Sequence, residues 1–138
     1  MDGNLNRELV IIGGGPAGLM AAESALANGA SNVSVYERMG SVARKFLIAG
    51  KGGLNLTHSE PMPQFIQRYL PQTRSIGHWL REFGPDAVRA WAAGLGVETF
   101  VGSSGRVFPH DLKAAPLLRA WVRRLRANGV RFHVNHEW

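Results

Sequence analysis

The stretch from Leu9 to Gly18 limits what this chain can fold into more than any other. Leu9-Val-Ile-Ile12 is short, continuously apolar and rich in β-branched residues, the pattern of a buried parallel strand. It breaks at once into Gly13-Gly-Gly-Pro-Ala-Gly18. Leu19 to Asn28 follows as a helix, with Ala21, Ala22, Ala25 and Leu26 as a small packing face and Gly29 as its terminator. Val33-Ser-Val-Tyr36 is a second strand, closing on Glu37. Strand, turn, helix and strand together take about thirty residues, the size of a βαβ crossover.

Within that unit the spacing Gly13-x-Gly15-x-x-Gly18 has a physical reading at each glycine. Gly13 permits the tight turn, and Gly15 lets a pyrophosphate approach the backbone. Gly18 allows close packing of helix on strand. The N-terminus of the helix that follows then offers free N–H groups and a positive dipole end to phosphates. Glu37 follows Gly18 by 19 residues at the end of the second strand. A carboxylate there accepts hydrogen bonds from ribose hydroxyls and repels a 2′-phosphate, whereas the adjacent Arg38 would accept one. The bland alternative is a glycine-rich turn beside a surface glutamate.

Beyond Glu37 the pattern is mixed. Val42 to Ile48 can begin a helix, and residues 49–53 form a tight glycine-rich segment. Helical spacing recurs over Phe65–Leu70, over Ile76–Phe83 and over Val88–Leu95. Val97–Val101 and Val107-Phe108 flank a turn at Gly102-Ser-Ser-Gly105. Lys113–Asn128 is a long amphipathic helix with Leu117, Leu118, Trp121, Val122 and Leu125 on one side, and Val130–Val134 alternates as a strand. Trp79, Trp91 and Trp121 sit on apolar stripes and are expected in the core.

Composition narrows the function class. The 138 residues hold no cysteine, which excludes a disulfide scaffold, a cysteine-ligated metal and a redox cysteine pair from this chain. No apolar run approaches the ~18 residues of a membrane span, and no signal-peptide layout precedes Glu8. A cytoplasmic protein without membrane contact is expected. The net charge of +6 is uneven: residues 112–138 carry six basic groups against Glu137 alone. Such a tail can mark a nucleic-acid partner, but no recognised nucleic-acid module or groove-reading residues accompany it. A solvated face for Arg119, Arg123, Arg124 and Arg126 is the favoured reading. His133 and His136, three apart, are expected on opposite sides of a strand, and no metal site is expected.

A more specific signal is Arg44-Lys-Phe-Leu-Ile-Ala-Gly-Lys-Gly-Gly-Leu-Asn-Leu-Thr-His58. With the glycine turn, with Gly102–Pro109 and with Lys113–Trp121, it resembles the N-terminal part of the BaiN/RdsA-type, or HI0933-like, NAD(P)/FAD-dependent oxidoreductases. The resemblance covers nearly the whole chain and is closest to a bacterial flavoprotein branch. It implies an α/β, Rossmann-like, three-layer FAD/NAD(P)-binding fold that is incomplete here, with a mostly helical insertion. Residues 1–57 and 112–138 would form the FAD-binding half-domain, and residues 58–111 a helical and hairpin excursion.

The same resemblance implies FAD on Gly13, Gly15, Pro16, Ala17 and Gly18, with Glu37 and Arg38 at its ribose. Arg44 and Lys45 would lie near the pyrophosphate, and Gly52, Gly53 and Asn55 on the flavin side. Gly50 and Thr57 would join them, while His58 either lies near the flavin or has a plain polar surface role, and Arg106 either faces substrate or pairs with an acid. Two departures stand out: Ala43 occupies a position where the family has glycine, and Lys51 one where arginine is common. In the intact protein NAD(P)H would reduce the flavin, which would reduce an unknown small organic substrate. The catalytic residues are not assigned. Because such proteins are several hundred residues long, an N-terminal fragment with a missing C-terminal remainder is expected. The competing readings are a non-catalytic nucleotide-binding fragment and a basic nucleic-acid-binding module.

Overall fold

A computed structural model describes residues 8–49 and 52–138; Gly50 and Lys51 lie outside the described residues. The chain forms two compact units. One runs to Ile48 and resumes at Leu118–Trp138; the other is Ala49–Leu117.

The first unit is built on the expected crossover. Strand β1 (Leu9–Ile12), helix α1 (Pro16–Ala27) and strand β2 (Val33–Tyr36) follow one another. The chain returns through helix α6 (Ala114–Ala127) into strand β6 (Arg131–His133). β2 pairs in parallel with β1 on one side and β6 on the other, giving the order β1-β2-β6. The α/β Rossmann-like class and the incomplete sheet are as the sequence implied. Val33, Ser34 and Val35 of the central strand are fully buried. Leu9, Val10 and Ile12 are not: each is more than two-fifths exposed, so the expectation of a buried first strand fails. The reason is its edge position, with one strand neighbour and α1 covering a single face. On the opposite face the order continues Ile12, Tyr36, His133, and the Tyr36 and His133 rings stack at 4.4 Å.

Helix α1 begins three residues earlier than the apolar pattern suggested, because Pro16 at its first position presets a helical φ. Ala22 packs at zero exposure as expected, whereas Ala21 faces solvent. On α6, Leu118, Trp121 and Leu125 are buried as its pattern required. One partner was not legible beforehand. The Glu23 carboxylate of α1 accepts from the Trp121 indole N–H and from the Arg124 guanidinium, so Arg124 leaves the solvated face assigned to it and ties α6 to α1. His133 and His136 also depart from expectation. β6 ends at His133, Asn135 turns with φ +57°, and both rings meet around Tyr36.

The second unit contains helices α3 (Met62–Gln67), α4 (Thr73–Glu82) and α5 (Pro85–Gly94). A three-stranded antiparallel sheet joins them, from β3 (Thr57–His58), β5 (Arg106–Pro109) and β4 (Thr99–Val101), in the order β3-β5-β4. The sequence showed a hairpin here; the two-residue β3 is too short to leave a periodic signature. Trp79, expected in the core, is 63% exposed on α4.

His58 is a strut of this unit. The Glu60 amide donates to its Nδ1 at 3.1 Å, which puts the ring proton on Nε2, facing the Ser104 carbonyl at 3.1 Å. The Nε2 contact braces the β4–β5 turn, and the Nδ1 contact fixes the ring. Gly105 in that turn has φ +81°, and a Cβ on it would meet the His58 ring at 2.7 Å. Gly105→Ala is expected to cost about 2 kcal/mol, the sum of left-handed strain and displacement of the ring. Thermal unfolding measures it, and an unchanged midpoint would remove His58 from this role.

Candidate functional site

The glycine turn is held open from below by three contacts. Gly13 N–H donates to the Tyr36 carbonyl at 2.7 Å, extending the β1–β2 ladder by one residue. Gly14 N–H donates to Glu37 Oε2 at 2.8 Å, and Ala43 N–H donates to the Gly14 carbonyl at 2.7 Å. Gly13 has φ +99°, the left-handed region that its role as the turn residue requires. Gly18 lies behind the turn, where a Cβ would sit 1.9 Å from the Gly13 carbonyl oxygen. Gly15 differs from both: nothing lies within 4 Å of its Cβ position.

That open side of Gly15 borders a cavity of about 280 Å³. Pro16, Glu37, Arg38, Arg44 and Lys45 line it as well. Gly15 is the residue that begins α1, it carries no side-chain cap, and the first intrahelical bond runs from Leu19 N–H to its carbonyl at 2.9 Å. The Ala17 and Gly18 amides therefore precede the helical ladder at the positive end of the dipole. Three cations, a helix start and an open backbone suit a phosphate-bearing ligand. Gly13 borders a neighbouring hollow of about 270 Å³ with Tyr36, Glu37, Arg38 and the exposed Trp138. Glu37 lines both.

Glu37 accepts from Met39 N–H through Oε1 at 2.8 Å as well as from Gly14 through Oε2. The Met39 bond foremost, then the Gly14 bond and the nearby Arg38 charge, hold its carboxyl below the ordinary value against partial desolvation. It is an anion at neutral pH, with a free lone pair on each oxygen for a hydroxyl donor. The folded carboxyl titrates lower than the unfolded one. Its stabilising contribution is thus present at neutral pH and is lost as pH falls through the folded value. Acid unfolding followed by circular dichroism should show Glu37→Gln less stable at pH 7 and less steeply pH-dependent in the acid limb. Parallel acid limbs for the two proteins would contradict the assignment.

Ala43, where the resemblance implied glycine, adopts φ +55° at 3% exposure. An alanine tolerates this region at a cost of about 1–2 kcal/mol, whereas a β-branched side chain is excluded from it. Ala43→Gly should be neutral to mildly stabilising and Ala43→Val should cost about 2 kcal/mol or more. Urea midpoints of the two variants give the comparison.

Arg44 and Lys45 open helix α2 (Arg44–Ala49) and line one cavity with Gly15, Pro16, Glu37 and Arg38. Gly52, Gly53 and Asn55 belong to the second unit. There Gly53 has φ +110° and abuts the Phe108 ring, and Leu54 N–H donates to the Leu112 carbonyl at 2.9 Å. Asn55, Thr57, His58 and Arg106 line a cavity of about 410 Å³ in the same unit. No three potential metal ligands cluster among the described residues, and no described helix is long and apolar enough to cross a membrane.

Residues 7–138 match the HI0933-like protein Rossmann domain family. The chain belongs to that family. A curated relative, the 3-dehydro-bile acid delta(4,6)-reductase of Clostridium scindens, is 29% identical over 125 residues, covering 89% of this chain and 30% of the relative. Among solved structures, the open conformation of a flavocytochrome c3 fumarate reductase aligns with TM-score 0.70 at 17% identity, over 93% of this chain and 26% of the other. The 3-ketosteroid-delta4-(5alpha)-dehydrogenase of Rhodococcus jostii RHA1 aligns with TM-score 0.62 at 18% identity, over 93% and 37%. The THI4 protein of Thermovibrio ammonificans aligns with TM-score 0.53 at 20% identity, over 92% and 38%. The HI0933-like chain thus spans about a third of the length of the proteins it matches.

Proposed function

We propose that this HI0933-like chain is the FAD-binding part of a flavoprotein oxidoreductase. The observation that carries the reading is the open side of Gly15, which faces a basic cavity with one ionised carboxylate, Glu37, at its wall. In this reading the Ala17 and Gly18 amides, Arg44 and Lys45 hold the pyrophosphate. Glu37 accepts from the ribose hydroxyls, and Arg38 adds positive charge beside it. Gly13 shapes the turn, and the missing side chain of Gly18 lets the helix pack behind it. The cofactor role of Gly52, Gly53 and Asn55 rests on their motif alone. The proposed division remains an FAD-binding half-domain of residues 1–57 with 112–138 and an excursion of 58–111, whereas the compact units divide after Ile48 and Leu117.

Bound FAD would supply the electron transfer for which this chain has no side chain of its own. In the intact protein NAD(P)H is the donor and a small organic molecule the acceptor. Ionised Glu37 disfavours a 2′-phosphorylated nucleotide at this site, which argues against NADP(H) there, although Arg38 beside it would accept the phosphate. The chain's own contribution is to bind and orient: fixed amide dipoles and three cations balance the diphosphate charge without reorganising. Titration of the purified protein with FAD, read by visible absorbance and flavin fluorescence, tests the proposal. A saturable change with a flavin band near ~450 nm is expected. FAD that stays free in solution at every concentration would overturn it. Bleaching of that band by NADH or NADPH under anaerobic conditions would identify the donor, and a band that neither bleaches would favour a non-catalytic nucleotide-binding module.

A further inference from the structure

Three of the four helix arginines expected on a solvated face, Arg119, Arg123 and Arg126, are exposed there and also border a cavity. This cavity of about 800 Å³ in the first unit lies along α6. Its floor is apolar, formed by Val42, Leu118, Val122 and Phe132. Arg119, Arg123 and Arg126 stand along one rim, spaced four and three residues apart, so they follow one another up a single stripe of the helix. Among the described residues no carboxylate pairs with any of the three. Arg126 is nonetheless held in place, with its guanidinium 5.5 Å from the centre of the Phe132 ring. The cavity shares only Ser41 with the one at Gly15.

We infer that this cavity binds a small amphipathic anion: an aliphatic body on the apolar floor and one carboxylate, sulfate or phosphate head against the arginine rim. The volume is that of a small-molecule site, typically about 300–1,000 Å³. The charge arrangement selects the sign of the ligand. Adjacent arginines one helical turn apart can both donate to one head, and a planar guanidinium matches an oxyanion better than an ammonium would. The apolar floor selects against a free inorganic anion, which gains nothing from it, and against nucleic acid, whose backbone presents no apolar surface of this kind. This site does not depend on FAD binding.

Decanoate, titrated calorimetrically into the intact protein below its micelle concentration, is the probe. Decyltrimethylammonium, with the same chain length and opposite head charge, is the control. One saturable decanoate site is expected, with the control binding at least about tenfold more weakly. Arg123→Gln should weaken decanoate about tenfold, the loss of one charge-assisted contact, with an unchanged circular dichroism spectrum. Should that variant not fold, Arg119→Gln reads the same contact. Equal binding of decanoate and the ammonium, or undiminished decanoate binding in the arginine variants, overturns the inference. Decanoate binding that FAD displaces also overturns it, since it would place the anion at Gly15.

Discussion

Gly18→Ala is expected to cost about 3 kcal/mol or more, in spite of a gain of ~1 kcal/mol in helix propensity. The added Cβ would sit 1.9 Å from the Gly13 carbonyl oxygen, and the atom it meets is backbone. That backbone has little room to retreat. Gly13 N–H is bonded to β2, and the neighbouring Gly14 is bonded to both Glu37 and Ala43. Either α1 lifts off β1 or the turn breaks three hydrogen bonds. Against a typical total stability of about 5–15 kcal/mol, a loss of this size is a large fraction. Chemical denaturation of the variant tests it. A midpoint within experimental error of the parent would mean that the helix and turn are not packed as described.

The second large effect separates folding from binding at a neighbouring glycine. Gly15 has open space where a side chain would go, and its φ of −79° is ordinary for any residue. Gly15→Val should therefore fold, at a cost of about 1 kcal/mol for a poorer helix start. Its side chain would project into the cavity assigned to the pyrophosphate. FAD affinity should fall on the order of 100-fold, about 2.7 kcal/mol. The pairing is diagnostic: Gly18→Ala loses stability, and Gly15→Val loses the ligand while keeping the fold. Fluorescence titration of FAD against the folded Gly15→Val protein provides the readout. Retained affinity would move the pyrophosphate away from Gly15 and dismantle the proposed site.

Much of this site was legible because its rules are local. A β-branched run, a glycine pattern and a carboxylate at a set distance describe a turn within one continuous segment. The same locality explains why Ala43 stood out: a left-handed backbone belongs to one residue, and the glycine expected there marks it. Less was legible where a contact joins distant segments. Glu23 carried no motif, yet it accepts from Trp121 and Arg124, 98 and 101 residues away. His58 read as either a flavin neighbour or a polar surface residue; that it braces a turn was not legible, because a two-residue strand brings it under the Ser104 carbonyl. Trp79 looked like core because periodicity shows an apolar stripe without showing whether anything covers it.

By itself the sequence determined the βαβ start, the tight turn at Gly13, the carboxylate at the end of the second strand and the family. Those depend on backbone sterics and short-range spacing, which any chain with these residues must obey. Tertiary structure alone decided how the polar side chains were shared out. It fastened Glu37 to the Gly14 and Met39 amides, and it set Arg124 against Glu23 while leaving Arg119, Arg123 and Arg126 around an apolar hollow. Four arginines on one helix look alike along the chain. They differ only in which neighbour the returning helix meets, and that is fixed when α6 packs beside α1.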